Sequence, residues 1–246
     1  MKKVYILPNL LTTGNFFCGI LSFCWVLQGE YRPAGIVILL AMVFDFMDGQ
    51  VARLAKAGSR FGVEYDSLAD FLTFGIASAA LAYRLSLESL GRIGIGIVFL
   101  YTVFTALRLA RYNSHAELDK KSDFSGLPCP VSAGCLVSFC LIVNRYQIQW
   151  AGKIIPILMI LLGALMVSNF PYPGVVRLKF HMKRPFLYLV AIMLALVVLV
   201  FLPRIGAFLG FSTYAVYGIY RAWRLRGEKK DSVPAASGFN GKDSLK

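Results

Sequence analysis

Long apolar runs dominate the chain, each broken by a short cluster of Pro, Gly and charged residues. A helix crossing the roughly 30 Å hydrocarbon core of a bilayer needs about 20 mostly apolar residues. Eight stretches meet that need: Pro8–Leu27, Pro33–Leu54, Asp66–Leu87, Gly91–Tyr112, Pro128–Tyr146, Ile154–Phe170, Phe186–Leu202 and Ile205–Trp223. Several open at or beside Pro, which suits a first helical turn because no N–H partner is available there. Helices are expected throughout, since open backbone cannot face lipid. The pattern predicts an all-α integral membrane protein of about eight transmembrane helices, with a membrane domain over residues 1–226. From Gly227 the chain turns polar, and residues 227–246 read as a disordered tail. The first stretch does not read as a cleaved signal peptide, because Asn9, Thr12, Thr13, Gly14 and Asn15 interrupt it.

Composition agrees with this pattern. The chain is 57% hydrophobic and 16% charged, with a mean hydropathy of +0.64, which excludes an ordinary soluble globule and intrinsic disorder. Yet its net charge is +13. Eight spans put both termini on one side, and sorting Lys and Arg by loop places 20 of the 26 cations on that side. The excess of positive charge in cytoplasmic loops then places both termini in the cytoplasm, on a face that attracts anionic lipids. The five cysteines, Cys18, Cys24, Cys129, Cys135 and Cys140, lie in or at the edge of a span and form no CxxC pair. They read as small packing residues, not as a zinc site. His115 and His181 fall in loops and take no role in the expected chemistry.

Acids are scarce, so their positions carry weight. Of 13, four fall in or at the mouth of two adjacent spans: Asp45, Asp48, Asp66 and Asp70. An aspartate near the bilayer centre costs on the order of 3 kcal/mol. Ion pairing with Arg53, Lys56 and Arg60 could compensate one or two of them. The spacing within each pair, three and four residues, puts both carboxylates on one helical face. Ala41, Asp45, Asp48, Gly49 and Ala52 form one small-and-acidic stripe, and Asp66, Asp70, Thr73 and Ala77 another. Such stripes let helices or a ligand approach closely. Oxygen-only ligands point to hard cations, Mg²⁺, Mn²⁺ or Ca²⁺, and four carboxylates suit two ions. Two-metal sites clamp the attacking and leaving oxygens of phosphoryl-type displacements. Gly49 and Ala52 leave room for a substrate, Arg53 offers a planar fork to phosphate oxygens, and Gly62 is expected in the turn before the next helix. A slot of this kind suits a substrate with a pyrophosphate head and lipid tails.

The string Asp45-Phe-Met-Asp48-Gly49-Gln-Val-Ala52-Arg53, followed at fixed spacing by Gly62, Asp66 and Asp70, resembles the full motif of the CDP-alcohol phosphatidyltransferase family, D-x2-D-G-x2-A-R-x8-G-x3-D-x3-D. The resemblance implies that Asp45, Asp48 and Asp66 bind a dinuclear metal centre. It implies that Asp70 also reaches the metals and serves as general base, and that Gly49, Ala52 and Arg53 hold the CDP moiety. It further implies a homodimer.

The motif fixes CMP as the leaving group and leaves the acceptor alcohol open. Two further stretches, Arg108-Leu-Ala-Arg111-Tyr-Asn113 and Phe124-Ser-Gly126-Leu-Pro128-Cys-Pro130, resemble the phosphatidylserine synthase branch, as does the opening Pro8-Asn9-Leu-Leu-Thr12-Thr-Gly14-Asn15. Val131 and Ser132 depart from the Ala that often follows there. The implied partners are CDP-diacylglycerol, L-serine and the surrounding membrane lipids, with no nucleic acid. Arg108 or Arg111 is a natural fork for the serine carboxylate, with Asn113 helping at the polar head. Charge alone would equally suit glycerol phosphate or inositol phosphate, and choline is a further candidate. Asn9, Thr12 and Asn15 read either as interhelical hydrogen-bonding groups or as contacts to the cytidine or phosphates. From a different class, a cation or proton transporter would also place carboxylates in the membrane.

Overall fold

The computed structural model describes residues 6–54, 59–116, 124–172 and 203–231. Helix α1 (Ile6–Leu27) turns tightly into α2 (Tyr31–Leu54). Gly29 makes that turn with φ 82°, and the Glu30 N–H reaches Trp25 O at 2.8 Å while the Gly29 N–H reaches Val26 O at 3.2 Å. This is the Schellman closure, in which a left-handed glycine lets two following amides satisfy the last carbonyls of the helix.

Helix α3 (Arg60–Asp70) begins at Ser59, whose side chain accepts the Gly62 N–H at 3.0 Å. The helix continues through a π-helical segment (Phe71–Ala77), α4 (Ser78–Ala82), a second π segment (Tyr83–Leu87) and a 3-10 turn (Glu88–Leu90). Together they form one 31-residue rod, Arg60–Leu90. The expected start at Asp66 is therefore too late, and Gly62 lies inside the first helical turn, not in a turn before it. The Ser59 cap explains the difference, because it satisfies an amide the helix start would otherwise leave open.

Next come α5 (Arg92–Ala116), α6 (Cys129–Tyr146), the short α7 (Gln149–Gly152), α8 (Ile155–Val167) and α9 (Pro203–Asp231). Two two-residue strands, β1 (Phe124–Ser125) and β2 (Pro171–Tyr172), pair antiparallel with Phe124 opposite Tyr172. They fasten the entry to α6 against the exit from α8. Burial pushes the Tyr172 phenol up to about 12, so its O–H stays protonated and donates to Ala215 O of α9 at 3.2 Å.

Among the described residues, six helices are long and apolar enough to cross a membrane: Leu7–Leu27, Tyr31–Ala52, Arg60–Leu90, Arg92–Ser114, Cys129–Tyr146 and Trp150–Val167. They match the first six predicted stretches. The seventh, Phe186–Leu202, lies outside the described residues, as does the tail beyond Asp231. The eighth, Ile205–Trp223, falls within α9, which is not among the six.

α1 packs along α2 and against both α3 and the first π segment, α5 packs on α8, and α6 packs on α9 and α2. Phe74, Leu81, Tyr101, Leu136, Ile155 and Met159 are fully buried between them. Leu10, Phe17, Ile93, Phe99, Ile157 and Leu161 point outward, the apolar exterior that a lipid-facing bundle presents. All five cysteines are free thiols; four are buried as expected of packing residues, and Cys24 is exposed.

Candidate metal centre and active site

The acidic faces of α2 and α3 meet. Asp45, Asp48 and Asp66 each offer a carboxylate oxygen, and these atoms lie within 4.8 Å of one another. Asp48 is buried; Asp45 and Asp66 are half-buried. Asp66 contacts Asp48, and Asp45 contacts Asp70, so the fourth carboxylate adjoins the group of three without being part of it. Carboxylates this close repel unless a cation or a shared proton separates them. Asp66 Oδ1 is buried and has no hydrogen-bond partner, an acceptor left for something with positive charge. An oxygen-only donor set around such an orphaned atom fits a hard divalent ion.

α1 supplies the second layer. Thr12 Oγ1 lies 2.8 Å from Asp48 Oδ2 and 3.1 Å from Pro8 O, its one proton serving these two acceptors. Asn15 is fully buried and donates from Nδ2 to Asp70 Oδ1 at 3.0 Å, while its own carbonyl oxygen Oδ1 has no partner. Its backbone carbonyl accepts the Thr73 hydroxyl at 3.1 Å. Thr12 and Asn15 therefore hold two of the four aspartates. Gly19 supports this by lying so close to Thr73 and Leu72 that a side chain there would collide with both. Asn9 is half-buried beside Gly62, where α1 meets the start of α3. Thr13, one turn beyond Asn9, shares a 3.0 Å hydrogen bond with Tyr65.

Gly49 and Ala52 are half-buried on the acidic face of α2. Arg53 follows on the same helix, and its side chain lies outside the described residues.

α5 delivers the cation. The Arg108 charge reaches both Asp45 and Asp70. Its guanidinium sits 5.5 Å from the centre of the Tyr112 ring and contacts Cys129 at the start of α6. Tyr214 of α9 is also within its field. Arg111 points elsewhere: it donates to Val167 O at 2.9 Å, Asn169 Oδ1 at 3.2 Å, Met166 O at 3.2 Å and Ser168 O at 3.1 Å. The two arginines that the sequence offered as equivalent are thus separated. Arg108 joins the aspartates and Arg111 caps the end of α8. Asn113 donates to Ser67 Oγ at 2.9 Å, next in sequence to Asp66, and its buried Oδ1 has no partner.

Three participants escaped the sequence reading. Cys129 was counted as packing, although it sits in the Gly126-Leu-Pro128-Cys stretch and abuts Arg108. Tyr112 lies one helical turn after Arg108, a spacing that could have flagged it. Tyr214 had no local signal, since only tertiary packing brings α9 there.

Comparison with known proteins adds an independent line. The family model for CDP-alcohol phosphatidyltransferase matches residues 5–217. The chain is 36% identical over 223 residues to a CDP-diacylglycerol–serine O-phosphatidyltransferase of Helicobacter pylori, covering 90% of this chain and 92% of that one. It is 34% identical over 221 residues to the protein of that name from Methanocaldococcus jannaschii, covering 90% and 96%. To the one from Bacillus subtilis it is 36% identical over 171 residues, covering 68% and 89%.

Proposed function

The chain belongs to the CDP-alcohol phosphatidyltransferase family, and from that premise we propose that it transfers the phosphatidyl group of CDP-diacylglycerol to the hydroxyl of L-serine, giving phosphatidylserine and CMP. The carrying observation is the meeting of Asp45, Asp48 and Asp66 within 4.8 Å, with Asp70 and Arg108 alongside. The acceptor follows from the relatives, which are CDP-diacylglycerol–serine O-phosphatidyltransferases.

Asp45, Asp48 and Asp66, with Asp70 at the edge, would hold two divalent ions, Mg²⁺ or Mn²⁺ with Ca²⁺ a further candidate. Bound there, such ions supply Lewis-acid stabilisation of charge on the phosphates. Gly49 and Ala52 leave the face of α2 open for the CDP moiety, and Arg53 stands next on that helix. Arg108, desolvated between Tyr112 and Cys129, provides the fork for the serine carboxylate. Asn113 holds a buried carbonyl oxygen without a partner, which would complement an ammonium. The serine hydroxyl attacks the phosphorus that bears diacylglycerol. Asp70, oriented by Asn15, takes the hydroxyl proton. The bond from that phosphorus to the bridging pyrophosphate oxygen breaks, and CMP leaves with the electron pair.

The reading extends to topology. Eight spans, with both termini and the active site on the cytoplasmic side of the cell membrane, fit the distribution of cations. α9 lies antiparallel to α6: Phe208 packs on Phe139, Phe211 on Gly134, and Ser212 meets Cys135. The start of α9 therefore sits at the far end of the bundle from the close of α8. A homodimer completes the proposal.

The test is an acceptor screen on purified protein with CDP-diacylglycerol, a divalent ion and labelled alcohols. Serine is expected to yield labelled lipid and stoichiometric CMP. Turnover with another alcohol and none with serine would overturn the acceptor and leave the family chemistry intact; no CMP with any alcohol would overturn the enzyme itself.

A further inference from the structure

α8 ends at a part-buried site, where its last carbonyls have no partners within the helix. Leu165 O accepts the Leu127 N–H at 3.0 Å. The next three carbonyls, Met166, Val167 and Ser168, all go to Arg111. With the Asn169 contact, Nη1 makes two hydrogen bonds and Nη2 makes two. Each terminal nitrogen of a guanidinium has two protons. All four are committed, so no terminal pair is left for the two-point grip on a substrate carboxylate that the sequence allowed.

The same knot contains the Gly126-Leu-Pro128-Cys stretch. Gly126 adopts φ 87° and donates to Phe170 O at 2.9 Å. A side chain there would meet Met166 O, lie 2.7 Å from Arg111 Nη2 and lie 2.9 Å from Ser168 O. β1 and β2 close the other side. Two residues after Gly126 the chain enters α6 through Pro128 as the N-cap, and the first helical residue is Cys129, which touches Arg108.

We propose that Arg111 is a positioning residue for the acceptor site. It welds the end of α8 to the Gly126 turn, and the turn sets Cys129 as the wall that holds Arg108 against Asp45 and Asp70. Gly126 acts in the same device, because only a residue without a side chain lets the guanidinium close on the carbonyls. Lysine cannot replace Arg111, since one ammonium cannot span acceptors on three successive residues. The proposal rests on the phosphatidyltransfer reading for its substrate, though not for its geometry.

The experiment is a double-mutant cycle on the purified full-length protein, using Arg111→Lys, Gly126→Ala and the double variant. Acceptor and CDP-diacylglycerol kinetics are followed by CMP release and normalised to folded protein from size exclusion. Each single variant is expected to lower kcat/KM for the acceptor by about 10- to 100-fold, as a misplaced site does, and to leave KM for CDP-diacylglycerol within about twofold. The double variant is expected to be no worse than the more severe single one, the signature of one shared device. Multiplying effects would overturn the proposal. So would unchanged kinetics per folded molecule, which leaves Arg111 only a role in folding. A loss confined to Arg111→Lys, with serine no longer preferred over an amino alcohol lacking the carboxylate, would make Arg111 a direct ligand instead. If Gly126→Ala does not fold, Asn169→Ala takes its place in the cycle, because it removes one exposed acceptor from the same guanidinium. Should serine fail as acceptor in the wild type, the cycle is run on whichever alcohol releases CMP, so the two readings fail separately.

Discussion

Asp70 differs from the other three aspartates in what holds it. It is buried, stands outside the three-carboxylate group, and receives the Asn15 amide. The amide fixes the orientation of its carboxylate, as a positioned base requires. Asp70→Asn is accordingly expected to cut CMP release by at least about 100-fold while the protein melts as the wild type does; near-normal turnover would remove Asp70 from the role. Thr12 makes the contrasting case. Its hydroxyl binds Asp48. Loss of a group that orients a metal ligand typically weakens metal affinity 10- to 100-fold. Thr12→Val, stripped with chelator and titrated with Mn²⁺, should need about tenfold more metal for half activity and recover its kcat at saturation. A raised KM for CDP-diacylglycerol with unchanged metal dependence would return Thr12 to the nucleotide-contact reading. At this scale the aspartates were legible, because their spacing alone shares a face. Arg108 and Arg111 were not distinguishable, since three residues of separation turn a side chain most of one helical revolution, and only the position of α8 decides which one is captured.

The helix boundaries carry a similar lesson. The apolar run marked the span from Asp66, yet α3 starts at Arg60 because Ser59 caps it. The six extra residues include Tyr65 and Gly62, which meet α1 at Thr13 and Asn9. Replacing an N-cap serine by alanine costs about 1 kcal/mol. Ser59→Ala should therefore lower Tm by about 2–4 °C, whereas Ser59→Asn should hold it, and thermal melts in detergent distinguish them. An unchanged Tm in both would mean that contacts with α1, not the cap, set the start of α3. The π-helical turn after Asp70 left no trace in the pattern. It shifts the register that a 3.6-residue period assumes, and π turns recur at functional sites. Thr73 falls within it and still reaches the Asn15 carbonyl, so the stripe Asp66, Asp70, Thr73 and Ala77 stays directed inward.

Across the whole bundle, the alternation of helix direction collects the chemistry at one end. Thr12 and Asn15 lie early in α1, Asp45 and Asp48 late in α2, Asp66 and Asp70 early in the next rod, Arg108 late in α5 and Cys129 first in α6. The opposite end carries Arg32, Arg84, Arg92, Arg145, Lys153 and Arg204, the minority of cations. The six described spans could be read from the apolar runs because lipid imposes their length residue by residue, whereas partner choice among helices could not. The two ends make a sharp topological prediction. Ser114 is exposed near the aspartate end of α5, and Gln28 is exposed in the turn at the other end of α1. With the wild type as background control for Cys24, Ser114→Cys should react with a membrane-impermeant maleimide only in vesicles whose cytoplasmic face is outward. Gln28→Cys should react only in vesicles of the opposite orientation. A cysteine replacing Lys242 in the tail should follow Ser114→Cys if the number of crossings after α5 is even, as eight spans require, and Gln28→Cys if it is odd. Reversed labelling of the first pair would turn the active site to the other face and deprive the excess of cations of its usual meaning.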